Sequence, residues 1–113
     1  MSHRTDHGPL RDMRHFARTA IQMFNEAASD ALESDTEVHF ALRYLVMTVG
    51  EAANRVSPEV RAAHPEIPWL DVIGMRNRLA HGYDQIRREV LHDTIALYLP
   101  QLVGQLDAIL GDE

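Results

Sequence analysis

A chain of 113 residues, 45% apolar and 25% charged, is long enough to bury one core and too short to accommodate a second catalytic domain. Its 17 acidic and 11 basic residues give a formal charge of −6, and every basic residue is an arginine. Global attraction to nucleic acid is not expected from this balance, although a local arginine cluster remains able to create it. The lack of cysteine removes disulfide, thiolate-metal and thiol-nucleophile chemistry and fits a reducing, cytoplasmic setting.

Residues 1–9 read as a loose leader without the apolar stretch of a secretory signal, and nowhere do the roughly 20 apolar residues of a membrane span occur. Residues 10–110 read as a single all-α domain, with 111–113 as a tail. A first helix is expected over Leu10 to Leu32, with Met13, Phe16, Ala20, Ile21 and Phe24 at three-four spacing. Ser34 and Glu37 have the spacing of a capping box, opening a second helix whose stripe runs from Val38 through Leu42, Val46, Val49 and Ala53 to Val56. Ser57 before Pro58 marks the start of a short helix that Pro65 interrupts. Another begins around Pro68, with Trp69, Val72, Met75 and Leu79 toward the core and Gly74 at a close crossing. The last runs from Arg88 to Leu110, where Pro100 is expected to bend or divide it. Four main helices and one short one, with brief connections, suit an antiparallel four-helix bundle.

Polar chemistry concentrates in GMRNRLAHGYD, residues 74 to 84, which gathers Arg76, Asn77, Arg78, His81, Tyr83 and Asp84 on a helix and its end. Arg76 and His81 are about 140° apart on an ideal helix, so a break near Ala80 is needed to turn them together. A histidine can move a proton at the 2'-hydroxyl or leaving oxygen of RNA while an arginine holds the phosphate, without metal or cofactor. Because one histidine supplies acid or base but not both, a symmetric dimer presenting two copies of the pair is attractive. On residue types alone, arginines paired with surface acids and a histidine at a helix end are the commoner arrangement.

Other patterns point to structure. Glu51 and Arg55 have the i,i+4 spacing of a salt bridge. His39 stands four residues before Arg43 but has no nearby Glu or His at standard helical metal spacing, and the dispersed histidines form no metal set. Tyr44, Tyr98 and Trp69 are expected to pack through their rings, with hydroxyls or indole nitrogen paired at the edge. Gly74, Gly82 and Gly111 make no phosphate loop.

The order EAANRVSPEVRAAHPEIPWLDVIGMRNRLAHGYD resembles the HepT-like family within the HEPN superfamily, most closely from Gly50 to Ile95 and more loosely from Leu10 to Leu110. The resemblance implies an all-α, HEPN-like bundle and a metal-independent endoribonuclease, commonly the toxin of a toxin-antitoxin pair, with its cleft at the two-fold axis of a homodimer. It assigns Arg76 and His81 as the catalytic pair and Asn77 as an orienting residue. Tyr83 completes R-x4-H-x-Y, with a second role as the residue adenylated by a partner minimal nucleotidyltransferase. Arg78, Arg87 and Arg88 are candidate RNA contacts. His92 stands where many relatives have tryptophan and reads as a helix-surface histidine before an extra cleft residue. The alternative reading is a non-catalytic helical interaction module; nucleotide transfer by the chain itself is weaker, because it lacks the G-S pair and acidic triad.

Overall fold

In the computed structural model, which describes residues 7–33, 36–81 and 88–113, the first helix, α1, spans Gly8–Glu26. It opens before Leu10 because Pro9 fits the first turn, where its missing N–H costs nothing. It also stops short of Leu32: Ala27 and Ala28 become extended, and a separate 3-10 turn covers Ser29–Leu32. Helix α2, Glu37–Asn54, is capped by Thr36, whose hydroxyl accepts the His39 N–H at 3.0 Å. The cap expected at Ser34 is thus replaced by Thr36, and Ser34 itself lies outside the described residues. Thr36 also donates to the Ala31 carbonyl at 2.6 Å, which ties the cap to the preceding turn.

Ser57 caps the short helix α3, Pro58–Ala63, by accepting the Val60 N–H at 3.2 Å, as the spacing predicts. The buried Trp69 closes the proline-rich link to α4, Trp69–His81, with its indole Nε1 donating to the His64 carbonyl at 3.0 Å. The final rod begins as α5, Arg88–Asp93, widens to a π turn over Thr94–Tyr98 and continues as α6, Leu99–Leu110. Pro100 accounts for the widening, since a proline ring crowds the carbonyl four residues back and offers no N–H. The Leu99 N–H instead reaches the Thr94 carbonyl, so the expected irregularity lies just upstream of the proline.

Cross-helix contacts make the neighbours antiparallel. Asp12 near the start of α1 pairs with Arg55 at the end of α2 at 2.8 Å, and Arg43 early in α2 reaches the Leu79 carbonyl late in α4 at 2.6 Å. Arg14 and Arg18 of α1 meet Asp107 late in α6. The fully buried residues Met13, Leu42, Val49, Val72, Ile95 and Leu102 come from all four main helices and form one core. Among the described residues no helix is long and apolar enough to cross a membrane.

Arg14 interrupts the apolar stripe of α1 yet is only 6% exposed. Its guanidinium donates to Asp107 at 3.2 Å, to the Gly111 carbonyl at 3.0 Å and to the Glu113 carbonyl. Nearby, the Glu113 carboxylate meets His7 at 2.7 Å and Arg11 at 2.8 Å, and hydrogen bonding to His7, aided by Arg11, holds it below the usual carboxylate range. Residues 111–113, a tail by sequence, are therefore tied to α1. Replacing Arg14 by methionine keeps the buried stem and removes the donors; the expected cost is about 1–3 kcal/mol. The larger penalty of a stranded buried charge does not apply, because Asp107 is partly solvated. Urea unfolding checks this: the midpoint falls with an unchanged slope, and an unmoved midpoint refutes the role.

Candidate active site

Helices α2 and α4 approach closely at Gly50. A Cβ there would stand 3.0 Å from the Val72 carbonyl oxygen, 3.1 Å from the Arg76 nitrogen and 3.2 Å from the Arg76 Cβ. Only glycine lets the two backbones come this near. The close crossing expected at Gly74 is absent: a Cβ on Gly74 meets only the mobile end of Arg78, at 3.3 Å. Gly74 points away from α2, and Gly50 faces α4 directly.

Beside this crossing opens a polar cavity of about 340 Å³ lined by Gly50, Glu51, Asn54, Ile73, Arg76 and Asn77. Arg76 donates through Nη1 to Asn77 Oδ1 at 3.3 Å, and its Nε faces the Glu51 carboxylate in an ion pair. Both partners are nearly half exposed (45% and 48%), so the pair adds at most about 1 kcal/mol to stability. Its main consequence is where it puts the guanidinium. Glu51 therefore does not bridge to Arg55 as the i,i+4 spacing suggests. Gly50 brings Arg76 within reach of Glu51, while α1 offers Asp12 to Arg55.

His81 is the last residue of α4. The helix continues through it instead of breaking near Ala80, and a five-residue step sets it about 7.5 Å along the axis from Arg76 and about 140° around it. The turn before it is anchored by the Arg43 bond to the Leu79 carbonyl, a cation at a helix C-terminus where the dipole favours positive charge. Tyr83 and Arg87 lie outside the described residues.

Of Arg76, Arg78 and Arg88, only Arg76 lines the cavity. Arg78 turns to the other side of α4, 3.5 Å from the Asp71 carbonyl and beside Val90 and Thr94. The Tyr98 hydroxyl is buried on that side without a partner among the described residues. Burial and the Asp71 charge, opposed by Arg78, push it up to about 12, which keeps it neutral at physiological pH. Arg88 is paired with Glu33 at 2.5 Å. His92 donates through Nε2 to the Leu32 carbonyl at 3.2 Å and meets Phe24 edge-on, so it packs α5 against α1 and its following turn.

Tyr44 does not pack as expected: it is 64% exposed, with Phe40 one turn earlier at 52%. Together with Glu51 and Asn54 they fall within about 80° of one another around α2, a face covered by none of the described helices. Glu51, Asn54 and Arg43 were missed as site residues. The signal available for the first two was their i,i+3 spacing on the polar side of α2; nothing in the sequence pairs Arg43 with α4.

The family described as Ribonuclease HepT-like matches residues 13–109. A protein of Thermococcus cleftensis provisionally named ribonuclease HepT is 31% identical over 75 residues, covering 66% of this chain and 68% of that protein. One of Caldanaerobacter subterraneus subsp. tengcongensis, provisionally named an RNase, is 34% identical over 65 residues, and the match spans 58% of each chain. Another provisionally named RNase, from Methanocaldococcus jannaschii, is 23% identical over 111 residues, covering 92% of this chain and 96% of the relative. No solved structure matches.

Proposed function

The chain belongs to the HepT-like ribonuclease family, and from that premise we propose that it is a metal-independent endoribonuclease, the toxin of a cytoplasmic toxin-antitoxin pair, acting as a homodimer. Arg76 neutralises the scissile phosphate and His81 transfers protons. Asn77 and Tyr83 orient the substrate, and Arg78, Arg87 and Arg88 add to RNA attraction. Attack by the substrate's own 2'-hydroxyl expels the 5'-oxygen of the next nucleotide and leaves a 2',3'-cyclic phosphate.

The observation that carries this reading is the open polar cavity where Arg76 and Asn77, two members of the R-N-R-L-A-H run, stand together. The dimer draws on two further points. One chain brings a single histidine in the run, and a second copy supplies the missing acid or base. The exposed Phe40 and Tyr44 extend an apolar strip from the cavity along α2, as suits a face that another copy covers. In the same reading a minimal nucleotidyltransferase antitoxin adenylates Tyr83, and the added phosphate repels RNA from the cleft.

The test is labelled RNA incubated with purified protein in excess chelator. Cleavage ending in a cyclic phosphate is expected, and a 2'-deoxy nucleotide at the scissile position should block it. Sedimentation should return twice the chain mass; a stable monomer that cleaves fully contradicts the shared cleft. With the transferase and ATP, wild type should take up adenylate and Tyr83→Phe should not. No cleavage across varied RNA pools would favour a non-catalytic interaction module built on the Phe40 and Tyr44 strip.

A further inference from the structure

We propose that Glu51 is a positioning residue for Arg76: its carboxylate holds the guanidinium from the Nε side, so that the outer Nη edge is presented to the cavity. The inference rests on the reading of Arg76 as the phosphate-binding group. An arginine on an open helix face samples many rotamers, and the fork that grips a phosphate through two parallel bonds works only when its plane is set. Here two contacts set it. Glu51 meets Nε from α2, and Asn77 Oδ1 receives one Nη1 hydrogen from within α4. The Nη2 amino group has no partner among the described residues. Gly50, the residue before Glu51, fixes the distance between the helices from which the two side chains spring.

A carboxylate in a phosphate site also repels the substrate, so two opposing effects must be weighed. Repulsion acts on bound RNA and on its transition state alike and is screened by water and salt around a half-exposed pair. It therefore changes KM. Orientation of the guanidinium matters most as charge builds on the phosphate oxygens, and so it changes kcat. Loss of the Nε contact frees the fork, and small misplacements of this kind cost about tenfold to a hundredfold in rate.

The experiment compares Glu51→Ala and Glu51→Gln with wild type. Because Glu51 is exposed and its pair contributes little to stability, both variants should fold. Glu51→Ala should lose about tenfold to a hundredfold in kcat with KM within about threefold. Glu51→Gln, which keeps an acceptor oxygen at the same reach, should recover part of the loss. A fall in KM with kcat unchanged in both variants would show that repulsion dominates and would overturn the proposal. A second readout needs no activity: in protein carrying 15N-arginine, the Arg76 Nε–H resonance is identified by its loss in Arg76→Lys. It should move and exchange faster with solvent in Glu51→Ala, and an unmoved resonance overturns the proposal. Absence of cleavage by wild type would defeat the ribonuclease reading, whereas the resonance would still decide whether Glu51 holds Arg76.

Discussion

Replacing His81 by alanine should lower the cleavage rate constant by about a hundredfold to ten-thousandfold, with RNA affinity changed by no more than a few fold. The imidazole is assigned to proton transfer, which contributes in the transition state and little in the ground state. Arg76→Ala should differ in kind. Its guanidinium meets the phosphate before and during reaction, so about a hundredfold to a thousandfold should be lost in kcat, accompanied by a higher KM. Single-turnover kinetics at saturating protein separate the two, since substrate binding then drops out of the measured rate. The double variant should be scarcely slower than the worse single one, because the two groups act on one phosphate and their effects do not multiply. Rates within about threefold of wild type in a folded His81→Ala would remove histidine from the chemistry.

The second large effect is a pair of opposite signs from the same chemical change. Gly50→Ala places a methyl group 3.0 Å from a backbone oxygen and 3.1 Å from a backbone nitrogen, atoms that cannot rotate aside. Overpacking of this kind costs about 1–3 kcal/mol, against a gain of about 1 kcal/mol from the better helix propensity of alanine. A net loss of up to about 2 kcal/mol is expected, and it should be larger for Gly50→Val. Gly104 in α6 is exposed, and a Cβ there meets nothing within 4 Å, so Gly104→Ala should stabilise by about 0.5–1 kcal/mol. Thermal unfolding should lower the midpoint by several degrees in one variant and raise it in the other. Since the strained contacts include the Arg76 backbone, Gly50→Ala should also slow cleavage in protein that remains folded. A higher midpoint for Gly50→Ala would refute the close crossing of α2 and α4.

The two glycines also show where sequence reasoning stops. Gly74 sits among the core-facing residues of its helix and so suggests a close crossing, but a one-dimensional reading cannot tell which glycine faces a neighbouring backbone. Glu51 and Arg55 present the same problem. The i,i+4 rule describes partners on one helix, and for exposed charges it is worth only a few tenths of a kcal/mol. Two opposing ions on neighbouring helices outcompete it easily, so Glu51 went to Arg76 and Arg55 to Asp12. The four arginines of residues 76 to 88 are close in sequence, which suits a phosphate track and a solvated charged face equally. Yet Arg76 and Arg78 are about 200° apart around α4, and Arg88 is drawn to Glu33 beyond α1.

What the sequence determined by itself was the all-helical architecture, because apolar residues recurring every three or four positions can be buried together only on helices. The α3 cap at Ser57 and the paired indole of Trp69 were equally readable, being set by local geometry and by the need to satisfy a buried N–H. So was the run holding Arg76, Asn77 and His81, a cluster of unusual residue types within six positions. The tertiary structure alone decided which groups accompany Arg76. The approach of α2 to α4 at Gly50 places Glu51 and Asn54 beside it and leaves Arg78 on the far side. Interhelical distance depends on how whole surfaces interlock, and no spacing along a single helix encodes it.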